Sequence, residues 1–206
     1  MNLLPVALDV REKLCLVVGG GPVAARKTKS LLECGARVHV VSPQLCDAFE
    51  ALRPEIELFG CTFLPAHCDG CFLVFACTNS REVNAEIANA ARAVNALCSI
   101  ADDAEAGDFY GMATVRRGDI CVAVSTQGGS PALAKHLRLK IEESIGPEYS
   151  RILEILSTRR SDVKNRVHTQ KTRATLWNAI LDSDVLSLLR EGRDAEAEAI
   201  INDLLK

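Results

Sequence analysis

Apolar positions fall in short continuous runs separated by helical stripes over the first hundred residues. Leu14-Cys15-Leu16-Val17-Val18 is unbroken and ends at glycines, the pattern of a strand buried on both faces of a parallel sheet. Val23 to Cys34 has helical character and closes at Gly35, a natural C-terminal glycine. Arg37 to Val41 reads as a second strand, ended by Ser42-Pro43, Glu55 to Leu58 as a weak third and Cys71 to Cys77 as a strong fourth. Ser80 to Val94 is a helix with Asn79 or Ser80 as its N-cap, and Ala96 to Ala101 is a fifth strand. Strands alternating with helices predict a parallel sheet covered on both faces.

The period then changes. Met112 to Val115 and Asp119 to Ser125 read as two strands joined by Arg116-Arg117-Gly118, a hairpin outside the alternating unit. Gly128-Gly129-Ser130-Pro131 opens a helix with Ser130 as N-cap and Pro131 in its first turn, running to about Ile145. From Tyr149 onward the chain is helical, with Gly192 dividing the last stretch in two. The run Ile120 to Val124 is too apolar for an exposed edge strand, and a symmetric homodimer would cover it.

Composition narrows the classes. With 206 residues, 48% of them hydrophobic, the chain can build a real core. No apolar run reaches the roughly 18 residues of a membrane span, and the first residues lack the basic and apolar regions of an export signal, so no membrane association and a cytoplasmic location are expected. The net charge of -3 argues against general nucleic-acid binding. Nine cysteines in such a setting, Cys15, Cys77, Cys98 and Cys121 among them, read as small buried hydrophobes. Cys61, His67, Cys68 and Cys71 include one C-x-x-C pair, but no second pair completes a four-thiolate site, so packing is preferred to a metal or redox centre. His39, His67, His136 and His168 show no ligand spacing, and no protein-bound metal is expected.

Gly19-Gly20-Gly21-Pro22-Val23-Ala24 fits G-x-G-x-x-A immediately after a strand and at the opening of a helix. In that pattern Gly19 makes the tight turn, Gly21 lets the backbone approach a pyrophosphate, and Ala24 lets helix and strand pack closely. The phosphates would sit at the positive helix end formed by Pro22 and Val23. An acidic residue about 20 positions on usually binds the adenosine ribose. Ser42-Pro43-Gln44 stands there instead, so Ser42 is the candidate for a ribose hydroxyl and a 2′-phosphate is not repelled. Thr78 and Asn79, at the end of the fourth strand, are candidates to line the cofactor or simply to cap the next helix.

Longer segments add specificity. Leu4-Pro5, Cys15 through Lys27, Phe75-Ala76-Cys77-Thr78-Asn79 with Val83-Asn84, Val122 through Ala134, and Trp177 with Leu181-Asp182-Ser183 together resemble the precorrin-2 dehydrogenase family, the dehydrogenase part of siroheme synthases. The resemblance implies an α/β fold with three parts. These are a Rossmann-like NAD-binding domain at 1–112, a small α+β dimerisation region at 113–147 and a helical C-terminal domain at 148–206. It also implies NAD-dependent oxidation of precorrin-2 to sirohydrochlorin, with a bifunctional enzyme that inserts ferrous iron or cobalt as one alternative and a non-catalytic NAD- or tetrapyrrole-binding module as another. The family's catalytic aspartate falls on Asp102, although Ser99 replaces an asparagine of the family pattern and Met112 stands where proline is frequent. Lying at a strand's carboxyl end beside Asp103, Asp102 is expected to be partly desolvated and to act as general base.

The implied substrate is a ring with many carboxylates, so positive charge must be gathered locally. Arg116 and Arg117 on the hairpin, Lys135, Arg138 and Lys140, and the cluster Arg159, Arg160, Lys164, Arg166, Lys171 and Arg173 are candidates, each alternatively part of a solvated face. Ser125, Thr126 and Ser130 would supply neutral hydrogen bonds.

Overall fold

The structure is a computed structural model and describes residues 3–103 and 105–206. Met1 and Asn2, with which the expected 1–112 domain begins, and Ala104 lie outside the described residues. Strands β1 (Leu14–Val18), β2 (Arg37–Val41), β3 (Ile56–Phe59), β4 (Leu73–Ala76) and β5 (Leu97–Ile100) form one sheet in the order β3-β2-β1-β4-β5. Every pairing in it is parallel. Helices α1 (Pro22–Glu33) and α2 (Arg81–Ala93) cover its two faces.

Alternation along β1 explains the unbroken apolar run. Cys15 and Val17 pack with Ala24, Ala25 and Leu31 of α1, while Leu16 and Val18 pack with Ile87, Ala88 and Ala91 of α2. Alanines at these contacts let both helices approach the sheet closely. Helix α1 stops as expected, with Gly35 at φ +77 beyond it.

The crossover from β2 to β3 was not legible as an element. It is a 3-10 segment, Asp47–Glu55, that plugs Phe49 into the α1 face of the core at 1% exposure. Pro54, which lacks an N–H, stands inside it, and a regular α-helix there would lose a hydrogen bond. A second such turn, Pro65–Cys68, precedes β4.

Two compact units divide at Met1–Gly111 and Met112–Lys206. In the second, β6 (Ala113–Arg117) and β7 (Ile120–Val124) pair antiparallel, and α3 (Pro131–Ser144), α4 (Glu148–Arg166), α5 (Gln170–Leu181), α6 (Val185–Arg190) and α7 (Asp194–Leu204) follow. The hairpin and α3 thus belong to the same unit as the helices that the sequence reading set apart at 148–206. The hairpin turn is tighter than expected. Arg116 and Arg117 are the last residues of β6, paired with Cys121 and Ile120, and the turn itself is Gly118-Asp119 with Gly118 at φ +55. Helices α4 to α7 enclose a core of their own around Ile152, Ile155, Val163, Ile180, Val185 and Ile201. No helix among the described residues is long and apolar enough to cross a membrane.

Candidate functional site

The carboxyl ends of β1, β2 and β4 surround a cleft of about 530 Å3, lined by Gly19, Gly20, Gly21, Ser42, Pro43, Gln44, Thr78 and Asn79 among others. That volume suits a small-molecule cofactor, and the position is where an open parallel sheet presents its ligands. The first glycine behaves as the motif requires. Gly19 has φ +127, and a Cβ there would stand 2.4 Å from the carbonyl oxygen of Cys77. At Gly21, in contrast, an added Cβ would meet no protein atom within 4 Å.

Gly20, the variable position of the motif, is the most constrained. A Cβ there would lie 1.8 Å from the Gln44 carbonyl oxygen and 2.6 Å from Ser42 Oγ. The Cys46 N–H donates to the Gly20 carbonyl at 2.8 Å, so the β1–α1 turn and the loop after β2 interlock. The motif carries no signal for Gly20, because it asks for glycine only on either side of it.

Helix α1 begins at Gly21 with no side-chain cap and no acid in its first turn. Its first residue, Pro22, has no N–H, while the N–H groups of Val23 and Ala24 have no intrahelical acceptor. Uncapped donors at a positive helix end, beside a cleft floored by glycine, fit a dinucleotide pyrophosphate.

Ser42 is more committed than expected. It is buried at 7% exposure, and its hydroxyl donates to the Gln44 carbonyl at 2.6 Å, leaving only acceptor capacity for a ribose. Thr78 is likewise absorbed by the chain. Its Oγ1 donates to Asn84 Oδ1 at 2.7 Å and accepts from the Ser80 N–H at 3.2 Å. Ser80, not Asn79, caps α2, its hydroxyl accepting from the Val83 N–H at 3.3 Å. Asn79 is exposed and lines the cleft.

Asn84 links this cleft to Asp102. Its side chain is 2% exposed and uses its full hydrogen-bonding capacity. Oδ1 accepts from the Thr78 N–H at 3.2 Å and from Thr78 Oγ1, while Nδ2 donates to the Thr78 carbonyl at 3.2 Å and to Asp102 Oδ1 at 3.1 Å. The orientation is fixed, because a flipped amide would turn its NH2 toward a backbone N–H that can only donate. Asn84 belongs to the Val83-Asn84 stretch that resembles the family, but no sequence signal ties it to Asp102.

Asp102 follows β5, where the Ala101 N–H donates to the Ala76 carbonyl at 3.0 Å. Its side chain is 45% exposed, with Arg81 Nε 3.8 Å from Oδ2. Asp103 turns instead to its own loop, accepting from the Ala106 N–H at 3.1 Å. Cys77 lies between the two halves of the site, and burial pushes its thiol up to about 11 against the opposing pull of Lys27 and Arg26. Lys27 has its Nζ 5.6 Å from the centre of the Phe75 ring, and burial lowers its pKa.

The expected substrate contacts of the second unit are largely engaged. Arg117 donates from Nε to the Ile145 carbonyl at 3.0 Å and from Nη2 to the Glu142 carbonyl at 3.1 Å, tying down the end of α3. Ser130 caps α3 by accepting from the Leu133 N–H, Thr126 Oγ1 bonds Ser130, and Ser125 Oγ accepts from the Gln127 N–H at 3.0 Å.

Among the described residues no group of three His, Cys, Asp or Glu side chains gathers in a metal-binding arrangement. Cys68 and Cys71 are buried, with thiols pushed by burial to about 11 and about 12, as packing residues should be. Cys121 departs from the expectation of burial. It is exposed, as is Ala123 on the same face of β7.

Comparison with known proteins agrees with this geometry. Residues 6–113 match a family described as NAD(P)-binding, and residues 148–205 match the sirohaem synthase dimerisation region. The latter match falls on α4 to α7 and leaves the hairpin and α3 outside it. Siroheme synthase of Nitrosomonas eutropha is 34% identical over 208 residues, covering 100% of this chain and 44% of that protein. Siroheme synthase of Thiobacillus denitrificans is 36% identical over 208 residues, covering 100% and 43%. The chain therefore spans less than half the length of the curated relatives it matches. A solved structure described as SirC, precorrin-2 dehydrogenase, superposes with a TM-score of 0.74 at 25% identity, covering 98% of this chain and 100% of that one. With its glycine cleft inside a match that takes in more than half of its length, the chain belongs to the NAD(P)-binding family and is, from end to end, a homologue of part of the siroheme synthases.

Proposed function

We propose that the chain is a precorrin-2 dehydrogenase, oxidising precorrin-2 to sirohydrochlorin with NAD+. The observation that carries this reading is Asp102, held by Asn84 at the same sheet edge whose glycine turn floors the nucleotide cleft. The full-length likeness to SirC, precorrin-2 dehydrogenase, supports the choice of substrate.

Bound NAD+ would supply the hydride acceptor. Gly19 shapes the turn, Gly21 and the N–H groups of Val23 and Ala24 would hold its pyrophosphate, Pro43, Gln44 and Ser42 would border its ribose, and Asn79 would contact it from the end of β4. Asn84 orients Asp102 through Oδ1, and Oδ2, with Arg81 Nε 3.8 Å away, would accept the proton that the substrate gives up as hydride departs. Arg117 and the hydroxyls of Ser125, Thr126 and Ser130 serve their own turns and helix ends, and no substrate role is assigned to them. A homodimer covering β7 belongs to the same reading. All nine cysteines are free, which suits work in a reducing cytoplasm.

The test is anaerobic oxidation of precorrin-2 with NAD+ or NADP+, followed by visible absorbance. Turnover is expected, and Asp102→Asn should slow it roughly 10²- to 10⁴-fold, the usual contribution of a general base. Folded protein that leaves fresh substrate unchanged would overturn the proposal. A second reading, iron or cobalt insertion into sirohydrochlorin with the metal as substrate, draws on the 45% exposure of the Asp102 side chain, which leaves it open to a cation. It requires insertion above the uncatalysed rate and its loss in Asp102→Ala.

A further inference from the structure

Within the helical unit, α4 and α5 form a second concave surface. Arg160 and Lys164 are i,i+4 neighbours on α4, and Gln170, Arg173, Ala174 and Trp177 follow one stripe of α5. Together they line a cavity of about 530 Å3 that contains three cations and no acid. Arg173 is fixed there by donating from Nη1 to the Val167 and His168 carbonyls at 2.7 and 3.0 Å, which leaves Nε and Nη2 uncommitted to those bonds. Arg160 and Lys164 have no carboxylate partner among the described residues.

The contrast with the rest of α4 is informative. Arg151 meets Glu154, Asp194 and Glu198, and Arg159, one position before Arg160, meets Glu198 and Asn202. Acids of α7 thus neutralise one face of α4 and leave the groove face bare. Like charges at i,i+4 destabilise a helix. The preference of a helix's last turn for cations accounts for Lys164 but not for Arg160, more than a turn further back. Trp177 is half-buried, packed against the helical core and also lining the cavity. A tryptophan face and guanidinium planes are surfaces on which flat rings stack.

We propose that this groove is a second ligand site, taking a flat conjugated ring whose rim carries two or more carboxylate or phosphate groups, with the ring against Trp177 and the anions on Arg160, Lys164 and Arg173. A carboxylated tetrapyrrole and a nucleotide share that chemistry. The site does not depend on the dehydrogenase reading.

Calorimetric titration of the full chain with uroporphyrin, a stable flat polycarboxylate, tests it. The expected result is a site whose affinity falls at least tenfold in Arg160→Gln/Lys164→Gln and is unchanged in Asp102→Asn. Both substituted side chains are exposed, so the fold should persist, and the melting curve checks this. Trp177, the only tryptophan of the chain, gives a second readout. Its fluorescence should be quenched in the wild type at the concentrations that fill the site, and far less in the double variant. Displacement by ADP would assign the site to nucleotides, and failure of ADP to displace would assign it to the carboxylated ring. Equal affinity in the double variant, or displacement by citrate as effective as by either flat ligand, would overturn the proposal. Loss of precorrin-2 turnover with this binding intact would count against the dehydrogenase reading alone.

Discussion

At the scale of single residues, three adjacent glycines do different work, and two substitutions separate them. Gly20→Ala forces a methyl group against the Gln44 carbonyl at 1.8 Å, so the loop after β2 must move. The expected cost is about 1–3 kcal/mol, as for overpacking in a tight site, read as a lower Tm. Gly21→Ala meets no protein atom, so Tm should hold while affinity for NAD+ drops more than tenfold by titration. A fall in Tm for Gly21→Ala, or none for Gly20→Ala, would reverse the assignment. Asn84→Ala leaves the Thr78 N–H and carbonyl without their partner and should cost about 1–3 kcal/mol, while slowing turnover through a misoriented Asp102. The sequence motif singled out Gly19 and Gly21 through general backbone chemistry. Gly20 and Asn84 were hidden because their constraints come from Gln44, Ser42 and Asp102, contacts made only once the strands are side by side.

At the scale of elements, continuous apolar runs gave β1, β2 and β4 with boundaries close to those observed, because burial on both faces leaves little room for polar residues. The 3-10 segment Asp47–Glu55 escaped notice because its one deeply buried anchor, Phe49, sets up no period. The hairpin turn was misplaced by two residues, since Arg116 and Arg117 look like turn residues until Arg117 is seen reaching the end of α3. A further feature without sequence signal is the pair formed where α4 starts. Glu148, 4% exposed, accepts from Arg190 Nη2 at 2.6 Å and Nε at 3.0 Å. Burial works to raise its pKa, but Arg190 and nearby backbone N–H groups outweigh it and hold the carboxyl below the usual glutamate range. A lowered folded-state pKa contributes stability above the unfolded value, near 4.3, and that contribution is lost as pH falls through the folded value. Glu148→Gln should therefore melt below wild type at neutral pH, with the gap closing below about pH 4. A gap that persists unchanged into acid would contradict the linkage.

At the scale of the molecule, each unit has its own core, and the second also exposes apolar residues. Cys121 and Ala123 of β7 are exposed, as are Leu133, Leu137 and Leu139 of α3. If a second copy covers β7, Cys121 should resist alkylation in the native protein at micromolar concentration and react on dilution to monomer. Cys61 should react in both, and the buried Cys15, Cys68, Cys71 and Cys98, with thiols raised to between about 11 and about 12, in neither. A monomer by light scattering with Cys121 reactive throughout would reject the dimer. The bond from Asn84 to Asp102 also has a mechanical meaning. The carboxylate extends from a loop beyond β5, yet its anchor is a side chain of α2 that also clamps the end of β4. One amide side chain thus ties together the end of β4, helix α2 and the loop beyond β5, so its removal should loosen all three at once.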